Sequence, residues 1–243
     1  MSNSLIHQFR EPRKQLALLI DPDSYSLEDV RKVALLAQEA RVNFIFVGGS
    51  LLVEGDVDAC IATVKESCDI PVVIFPGSPQ QVSANADGLL FLSLISGRNP
   101  ELLIGQHVVA APMVKQSGLQ VLPTGYMLVD CGRQTTASYI SGTAPLPWDK
   151  PGIAACTAMA GEMLGLQLMY LDGGSGAERP ISKEMIAAVR KSVNTPLIVG
   201  GGLRHPEDVY TACKAGADVV VIGNAIEKDA SLLHEMAAAL YQV

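Results

Sequence analysis

The sequence lacks the features that mark membrane, secreted and nucleic-acid-binding proteins. No apolar run approaches the ~20 residues that cross a bilayer, and the charged N-terminal segment lacks the apolar core of a signal peptide. The five cysteines are odd in number and form no CxxC pair, which predicts reduced thiols. The net charge of −7 argues against a nucleic-acid partner. We therefore expect a cytoplasmic protein with at most transient contact with a membrane surface.

Motifs built on a strong nucleophile or a histidine metal site are also missing. None of the four histidines lies in a metal-ligand spacing; His107 is expected on a helix surface and His205 at a helix start. No Ser/His/Asp or Cys/His arrangement is visible, and GxxxxGK[ST] is absent. What remains is a set of carboxylates and glycine-rich turns, which suits transfer or isomerisation of phosphorylated small molecules.

Eight short β-rich runs alternate with helical patterns along the chain. Most runs are nearly continuous in Val, Ile, Leu and Phe, as expected for strands buried on both faces. The runs are Gln15–Asp21, Phe44–Gly49, Pro71–Pro76, Gly88–Leu94, Gln120–Asp130, Leu166–Leu171, Pro196–Gly200 and Asp218–Gly223. This alternation and count predict an α/β protein, a closed (β/α)8 barrel of the TIM type, with residues 1–243 forming a single domain.

Two connections depart from a regular barrel. Only about ten residues, Ser78–Asp87, separate the third and fourth strands, which is too few for a fully packed helix. We therefore expect the third helix to be shortened or replaced, either without consequence or so that an apolar groove is exposed for a long apolar substrate. The connection Cys131–Ile153 is long and rich in Pro and Gly, which is typical of an active-site loop. Its Trp148 is expected to cap a ligand, anchor an oligomer interface or pack the loop.

Three apolar runs in the last third of the chain stop abruptly at glycine. The turns that follow are Gly173–Gly176, Gly201–Gly202 and Gly223–Asn224. Bare backbone N–H groups at such turns, aimed by the start of the next helix, bind anions. Barrel enzymes bind phosphate after their seventh and eighth strands. The position of these turns therefore predicts a phosphate site.

Two carboxylates are expected at the same rim. Asp21 ends the first strand in LLIDPD and suits Mg²⁺, which takes one or two protein carboxylates with waters and substrate phosphates, or it forms a strand-exit turn. Ser50, which ends FVGGS, is either a second ligand or a helix cap. Asp172 is placed to act as a general base on a substrate hydroxyl, or it caps its turn. Tyr170 lies two residues earlier and faces the same side of the strand.

On these motifs the chain resembles geranylgeranylglyceryl phosphate synthases and the related heptaprenylglyceryl phosphate synthases. The matching stretches cover almost the whole chain after about residue 14 and include LLIDPD, FIFVGGS, PVVIFPGSPQQVSANADGLLFLSLISGRNPELLIGQHV, TTASYISGTAPLPWDKP, YLDGGSG, PLIVGGGLR and VVVIGNAI. The resemblance implies a Mg²⁺-dependent barrel prenyltransferase with one helix replaced. Such an enzyme joins sn-glycerol 1-phosphate to a prenyl diphosphate, releases diphosphate and makes a precursor of ether phospholipids.

The resemblance also implies roles for individual residues. Asp21 and Ser50 would bind the Mg²⁺, and glycerol phosphate would bind Tyr170, Leu171, Asp172, Gly173, Gly174, Ser175, Gly176, Gly201, Gly202, Gly223 and Asn224. Tyr170 and Asp172 would be the catalytic pair. Asp172 stands where such enzymes often carry glutamate, so its side chain is one methylene shorter than the glutamate side chain.

Several alternatives stay open at this point. The closer overall likeness is to geranylgeranyl-using members, with a longer heptaprenyl donor as the alternative. A phosphate-binding barrel isomerase accounts for the glycine turns but not for Asp21 beside a thinned wall. A flavin-binding barrel and a non-catalytic phosphate-binding barrel are further candidates. The apolar outer helices and Trp148 favour a homo-oligomer.

Overall fold

A computed structural model describes residues 4–242 and contains a closed barrel of eight parallel strands. These are β1 (Gln15–Ile20), β2 (Phe44–Val47), β3 (Val72–Ile74), β4 (Gly88–Leu94), β5 (Gln120–Asp130), β7 (Leu168–Asp172), β8 (Leu197–Gly200) and β9 (Val219–Ile222). Pairing of β9 with β1 and of β4 with β5 closes the ring. A two-residue strand, β6 (Leu146–Pro147), extends the sheet at the end of β5. The predicted barrel and its eight strands are confirmed.

Ten α-helices are found within residues 4–242. They are α1 (Leu5–Phe9), α2 (Leu27–Glu39), α3 (Val57–Ser67), α4 (Gln106–Ser117), α5 (Thr136–Ser141), α6 (Pro151–Met163), α7 (Lys183–Ser192), α8 (Pro206–Ala215), α9 (Asn224–Lys228) and α10 (Leu232–Leu240). A π-helical turn, Glu101–Gly105, leads into α4. None of the helices in this part of the chain is both long enough and apolar enough to span a bilayer.

Side chains of the strands divide between two cores. One core lies between the strands and the surrounding helices, and the other fills the inside of the barrel. The N-terminal helix α1 closes the bottom of the inner core, where Phe9 stacks on Phe44 with ring centroids 4.2 Å apart. The barrel is therefore plugged at one end, and the end formed by the C-termini of its strands is left for ligands.

The third barrel helix is replaced, as predicted. Residues 75–87, between β3 and β4, form neither a helix nor a strand. The buried Gln81 anchors this segment, because its Nε2 donates to the Gly49 carbonyl at 2.9 Å and its Oε1 accepts from the Gly77 amide at 3.1 Å. In place of a helix, this segment connects β3 to β4, and the π-helical turn Glu101–Gly105 contacts β4.

The long connection after β5 folds into α5 and β6 before α6 begins. Trp148 packs this connection in place: its Nε1 donates to the Pro180 carbonyl at 2.9 Å, and the Arg179 guanidinium lies 4.1 Å above its ring. Of the three roles considered for Trp148, the structure shows packing of the loop.

Candidate active site

A single continuous cleft of about 670 Å³ opens at the C-terminal ends of the barrel strands. The predicted site residues that line it are Asp21, Ser50, Tyr170, Asp172, Gly174, Ser175, Gly176, Gly201, Gly202, Gly223 and Asn224. Leu171 and Gly173 do not line it, since Leu171 packs in the outer core and Gly173 is buried beside Cys131. The structure therefore brings the first strand and the last three strands to the same cavity.

We call the turns Gly173–Gly176, Gly201–Gly202 and Gly223–Asn224 the glycine cradle. Gly201 and Gly202 have φ of 85° and 75°, a backbone region that side chains disfavour. A Cβ on Gly201 would lie 2.6 Å from the Gly173 nitrogen, and one on Gly202 would lie 2.4 Å from the Arg179 carbonyl oxygen. The turns therefore pack backbone against backbone, and turns of this kind form anion-binding concavities.

An acceptor oxygen already lies within the cradle. Asn224 Oδ1 accepts from Ser175 Oγ at 3.0 Å and from the Gly176 amide at 3.3 Å. These are the donor types that bind phosphate oxygens. The side-chain nitrogen of Asn224 donates to Glu227 at 3.2 Å, so the cradle is connected to the carboxylates beside it.

Two arginines that the sequence did not single out lie next to the cradle. Arg133 Nη2 is 3.4 Å from the position that a Cβ on Gly176 would occupy, and the side chain lines the cleft. Among the described residues Arg133 has no ion-pair or hydrogen-bond partner. Arg204 also lines the cleft, and its Nη2 donates to the Ala177 carbonyl at 2.7 Å. Both cations would complement the charge of an anion in the cradle.

Asp21 and Glu227 form a pair of carboxylates on the other side of the cradle. Burial raises the pKa of Asp21; the Asp23 amide, 3.0 Å from Oδ1, lowers it, and the charge of Asp23 raises it. Burial and then the charge of Asp21 raise the pKa of Glu227. A Cβ on Gly49 would lie 2.8 Å from Asp21 Oδ2, so only glycine leaves room at this carboxylate. Two half-buried carboxylates that repel each other are stabilised by a cation.

The residues at Asp21 fit a magnesium ion. Within residues 4–242, no three His, Cys, Asp or Glu side chains group into a closed metal site. An open site with one or two carboxylates and a hydroxyl is what Mg²⁺ uses when waters and substrate phosphates complete its shell. Asp21, Glu227 and Ser50 all line the cleft and can provide these ligands.

Asp172 is a buried carboxylate held by two hydrogen bonds. Its side chain is 6% exposed, Oδ2 accepts from the Tyr126 hydroxyl at 2.5 Å, and Oδ1 accepts from the Gly174 amide at 2.7 Å. Burial raises the pKa of Asp172, and the hydrogen bonds from Tyr126 and Gly174 lower it. Asp172 is thus both a cap of its turn and a candidate base.

Three aromatic rings surround the centre of the cleft. The ring centroids lie 5.8 Å apart for Phe75 and Tyr126, 5.2 Å for Phe75 and Tyr170, and 5.4 Å for Tyr126 and Tyr170. All three side chains line the cleft. Aromatic faces stabilise positive charge, so this region suits a reacting carbon that develops cationic character.

From the aromatic rings the cleft continues into what we call the apolar groove, over the outer face of β4. The groove is lined by Val82, Leu89, Phe91, His107, Ala110 and Val114. The expectation of a groove at the missing helix is therefore met. The prediction that His107 lies on a helix surface is wrong: its ring packs edge-on against Phe91 at 4.5 Å, and burial lowers its pKa.

Comparison with known proteins places this architecture in one family. The sequence profile of the PcrB family matches residues 7–241. The chain belongs to the PcrB family. It is 56% identical to the geranylgeranylglyceryl phosphate synthase of Chitinophaga pinensis, over 98% of this chain and 95% of that relative. It is 42% identical to the synthase of the same name from Thermococcus gammatolerans, over 93% of this chain and 90% of that one.

A solved structure supports the same grouping. The (S)-3-O-geranylgeranylglyceryl phosphate synthase of Thermoplasma acidophilum, crystallised with sn-glycerol-1-phosphate, superposes with a TM-score of 0.91 at 30% identity, covering 98% of this chain and 97% of that one. The predicted resemblance to a family of prenyltransferases is confirmed.

Several residues of this PcrB-family site were not identified from the sequence. Tyr126 and Phe75 lie inside apolar strand runs, where an aromatic residue is the ordinary core choice. Arg133 lies in a polar loop, and its distance from other residues along the sequence matches no binding motif. Glu227 lies four residues after Gly223, the glycine that ends the last strand run, in GNAIE. This short distance from the strand end is the one sequence signal that could have identified it.

Proposed function

We propose that this PcrB-family chain joins sn-glycerol 1-phosphate to geranylgeranyl diphosphate, forming an ether bond and releasing diphosphate. The observation that carries the proposal is the single cleft in which the glycine cradle, Asp21 and the apolar groove are continuous. The names of the relatives and the glycerol phosphate bound in the Thermoplasma enzyme support it. A longer heptaprenyl donor is the alternative, and the product is a precursor of ether phospholipids.

Each part of the cleft receives one part of the two substrates. The glycine cradle binds the phosphate of glycerol phosphate through backbone N–H groups and Ser175, with Arg133 and Arg204 beside it. The apolar groove binds the prenyl chain, whose burial removes apolar surface from water. Asp21 lies between the two, where the diphosphate of the donor meets the acceptor.

Asp21, with Ser50 and Glu227, would hold Mg²⁺. When bound, this ion supplies electrostatic stabilisation of the charge that develops on the departing diphosphate. The rings of Phe75, Tyr126 and Tyr170 stabilise positive charge at the allylic carbon and exclude water, which competes for the same carbon.

The bonds change in one displacement. The primary hydroxyl oxygen of glycerol phosphate forms a bond to C1 of the prenyl chain. The bond from C1 to the diphosphate oxygen breaks, and its electron pair leaves with the diphosphate. The hydroxyl proton passes to the carboxylate of Asp172. The cradle fixes the acceptor relative to C1, which makes the step effectively unimolecular.

The proposal includes a homo-oligomer. Apolar side chains are exposed on two outer helices: Val108 and Val109 on α4 are 66% and 68% exposed, and Met163 and Leu164 at the end of α6 are 85% and 79% exposed. Clusters of this kind on a protein surface are typical of interfaces. Sedimentation velocity at several protein concentrations tests it, and a monomer at all of them contradicts it.

The test of the proposed function is transfer of label. The wild-type protein is incubated with Mg²⁺, labelled sn-glycerol 1-phosphate and a series of prenyl diphosphates, and the organic phase is counted. We expect label in the organic phase, most with the geranylgeranyl donor. A maximum with the heptaprenyl donor selects the alternative chain length. Label that stays in water with every donor, while glycerol phosphate binds, overturns the proposal.

A further inference from the structure

Tyr126 reaches Asp172 across neighbouring strands. β5 and β7 pair in parallel so that Tyr126 lies opposite Tyr170 and Leu128 lies opposite Asp172. Asp172 is the next residue after Tyr170 on the same face of β7. The Tyr126 hydroxyl therefore reaches diagonally across the strand pair and donates to Asp172 Oδ2 at 2.5 Å. Both side chains face the inside of the barrel, and both line the cleft.

The surroundings of Asp172 contain few other groups that could stabilise its charge. Among the described residues, only the Tyr126 hydroxyl and the Gly174 amide donate hydrogen bonds to it. The titratable groups that face it are Tyr126 on β5, Tyr170 on β7 and Cys131 after β5, while β8 contributes Gly200. Burial raises the pKa of Cys131 to about 12 and the pKa of both tyrosines well above their ordinary value, so all three stay neutral.

The two donors have different consequences for the carboxylate. The Gly174 amide holds Oδ1 within the turn of the glycine cradle, which fixes one end of the group. The Tyr126 hydroxyl holds the other oxygen, so together they fix the plane of the carboxylate. A buried carboxylate is costly to ionise unless donors compensate for the lost water. The charged form of Asp172 therefore depends on both donors, of which the Tyr126 hydroxyl is the one that a side-chain substitution can remove.

We propose that Tyr126 is a positioning residue for the transfer reaction: its hydroxyl keeps the carboxylate of Asp172 ionised and oriented to accept the proton of glycerol phosphate. This inference rests on the proposed function. It concerns the hydroxyl of Tyr126, which acts through Asp172 and forms no bond to the reacting atoms; the ring keeps its separate place in the lining of the cleft.

The first test is Tyr126→Phe in the transfer assay across a pH series. Loss of the hydrogen bond raises the pKa of Asp172 further, so ionisation requires a higher pH. We expect the acid limb of the kcat profile to move up by about one to two pH units, which lowers kcat on that limb by roughly 10- to 100-fold, and we expect the KM for glycerol phosphate to stay within about twofold. Tyr241→Phe is the matched control, because Tyr241 is 75% exposed at the end of α10 and its substitution should change none of the three quantities.

The second test needs no turnover. Carbon-13 NMR of the aspartate carboxyls, with Asp172→Asn used for assignment, follows the protonation of Asp172 in the wild type and in Tyr126→Phe. We expect the Asp172 signal to titrate at a higher pH in the variant. An unchanged titration with an equal loss of kcat overturns the proposal and makes Tyr126 a packing residue.

A third measurement covers the case in which Tyr126→Phe unfolds. Site-specific 3-fluorotyrosine at position 126 keeps the shape of the ring and strengthens its O–H donor. We expect it to move the Asp172 titration to lower pH, and a shift to higher pH overturns the proposal. If the wild type transfers no label while the carboxyl titrations move as expected, then the proposed function fails and the coupling of Tyr126 to Asp172 stands.

Discussion

The glycine cradle and the apolar groove, which lie on two sides of the cleft, differ in what lines them. The glycine cradle, after β7, β8 and β9, is made of backbone in conformations that only glycine adopts easily, as at Gly201 and Gly202. The apolar groove, beside β3 and β4, exists because a helix is missing and because side chains of α4 line the space. The difference teaches that the proposed anion site is built mainly from peptide groups, whereas the proposed site for the apolar chain is built from side chains where a barrel helix is missing.

The largest expected effect separates the cation site from the cradle. Asp21→Ala removes the carboxylate that we propose would hold Mg²⁺, so we expect transfer at saturating Mg²⁺ to fall by ~1000-fold or more. The affinity for glycerol phosphate, measured by calorimetry without donor, should stay within about twofold. Asp69→Ala, at an exposed position, is the matched control. Transfer that survives in Asp21→Ala would remove Asp21 from the mechanism.

The next effect tests whether the cradle is made of backbone. In Gly202→Ala the new Cβ would meet the Arg179 carbonyl oxygen at 2.4 Å, so the turn must shift. We expect the dissociation constant for glycerol phosphate to rise roughly 100-fold, with binding of the prenyl diphosphate unchanged. Gly118→Ala is the control, because Gly118 has a similar φ of 73° and nothing within 4 Å of the added carbon. Equal effects of the two substitutions would show that strain alone is responsible.

A smaller effect is expected in the apolar groove. Ala110 lines the groove from α4 and is 7% exposed, so Ala110→Phe fills part of the space for the prenyl chain. We expect kcat/KM for the geranylgeranyl donor to fall roughly 20-fold and a shorter donor to be less affected. Gln116→Phe, at an exposed position of the same helix, is the control. If all donors lose equally, the prenyl chain does not run past Ala110.

The smallest effect tests whether side chains contribute on the cradle side. Arg133 is exposed and adjoins the Gly176 turn, so its charge is partly screened by water. We expect Arg133→Ala to raise the KM for glycerol phosphate about fivefold, and the effect to shrink at high salt. Arg31→Ala, in an exposed surface pair, is the control. No change in KM would mean that the peptide groups and Arg204 are sufficient.

The sequence is informative where local chemistry determines the structure. The strands were predicted because they are apolar on both faces, and the cradle because three apolar runs near the end of the chain stop at glycine. The missing helix was predicted from the length of Ser78–Asp87. Asp21 was placed at the rim because it ends a strand, and the structure has it there.

The sequence does not predict contacts between residues that are far apart along the chain. Tyr126 and Asp172 are 46 positions apart, and their hydrogen bond exists only because β5 pairs with β7. The bounds of helix α6 are also hard to read from the sequence, since its small and apolar residues are distributed around all its faces and produce no amphipathic period. His107 was misplaced because the aromatic ring of Phe91, on another element, covers it.

One crossed titration tests most directly the claim that the two sides of the cleft bind different substrates. Asp21→Ala and Gly202→Ala are each titrated by calorimetry with glycerol 1-phosphate and, in Mg²⁺, with geranylgeranyl diphosphate. We predict that Asp21→Ala loses affinity only for the diphosphate and that Gly202→Ala loses affinity only for glycerol 1-phosphate. Loss of both ligands in both folded variants, or the reverse pairing, would contradict the account.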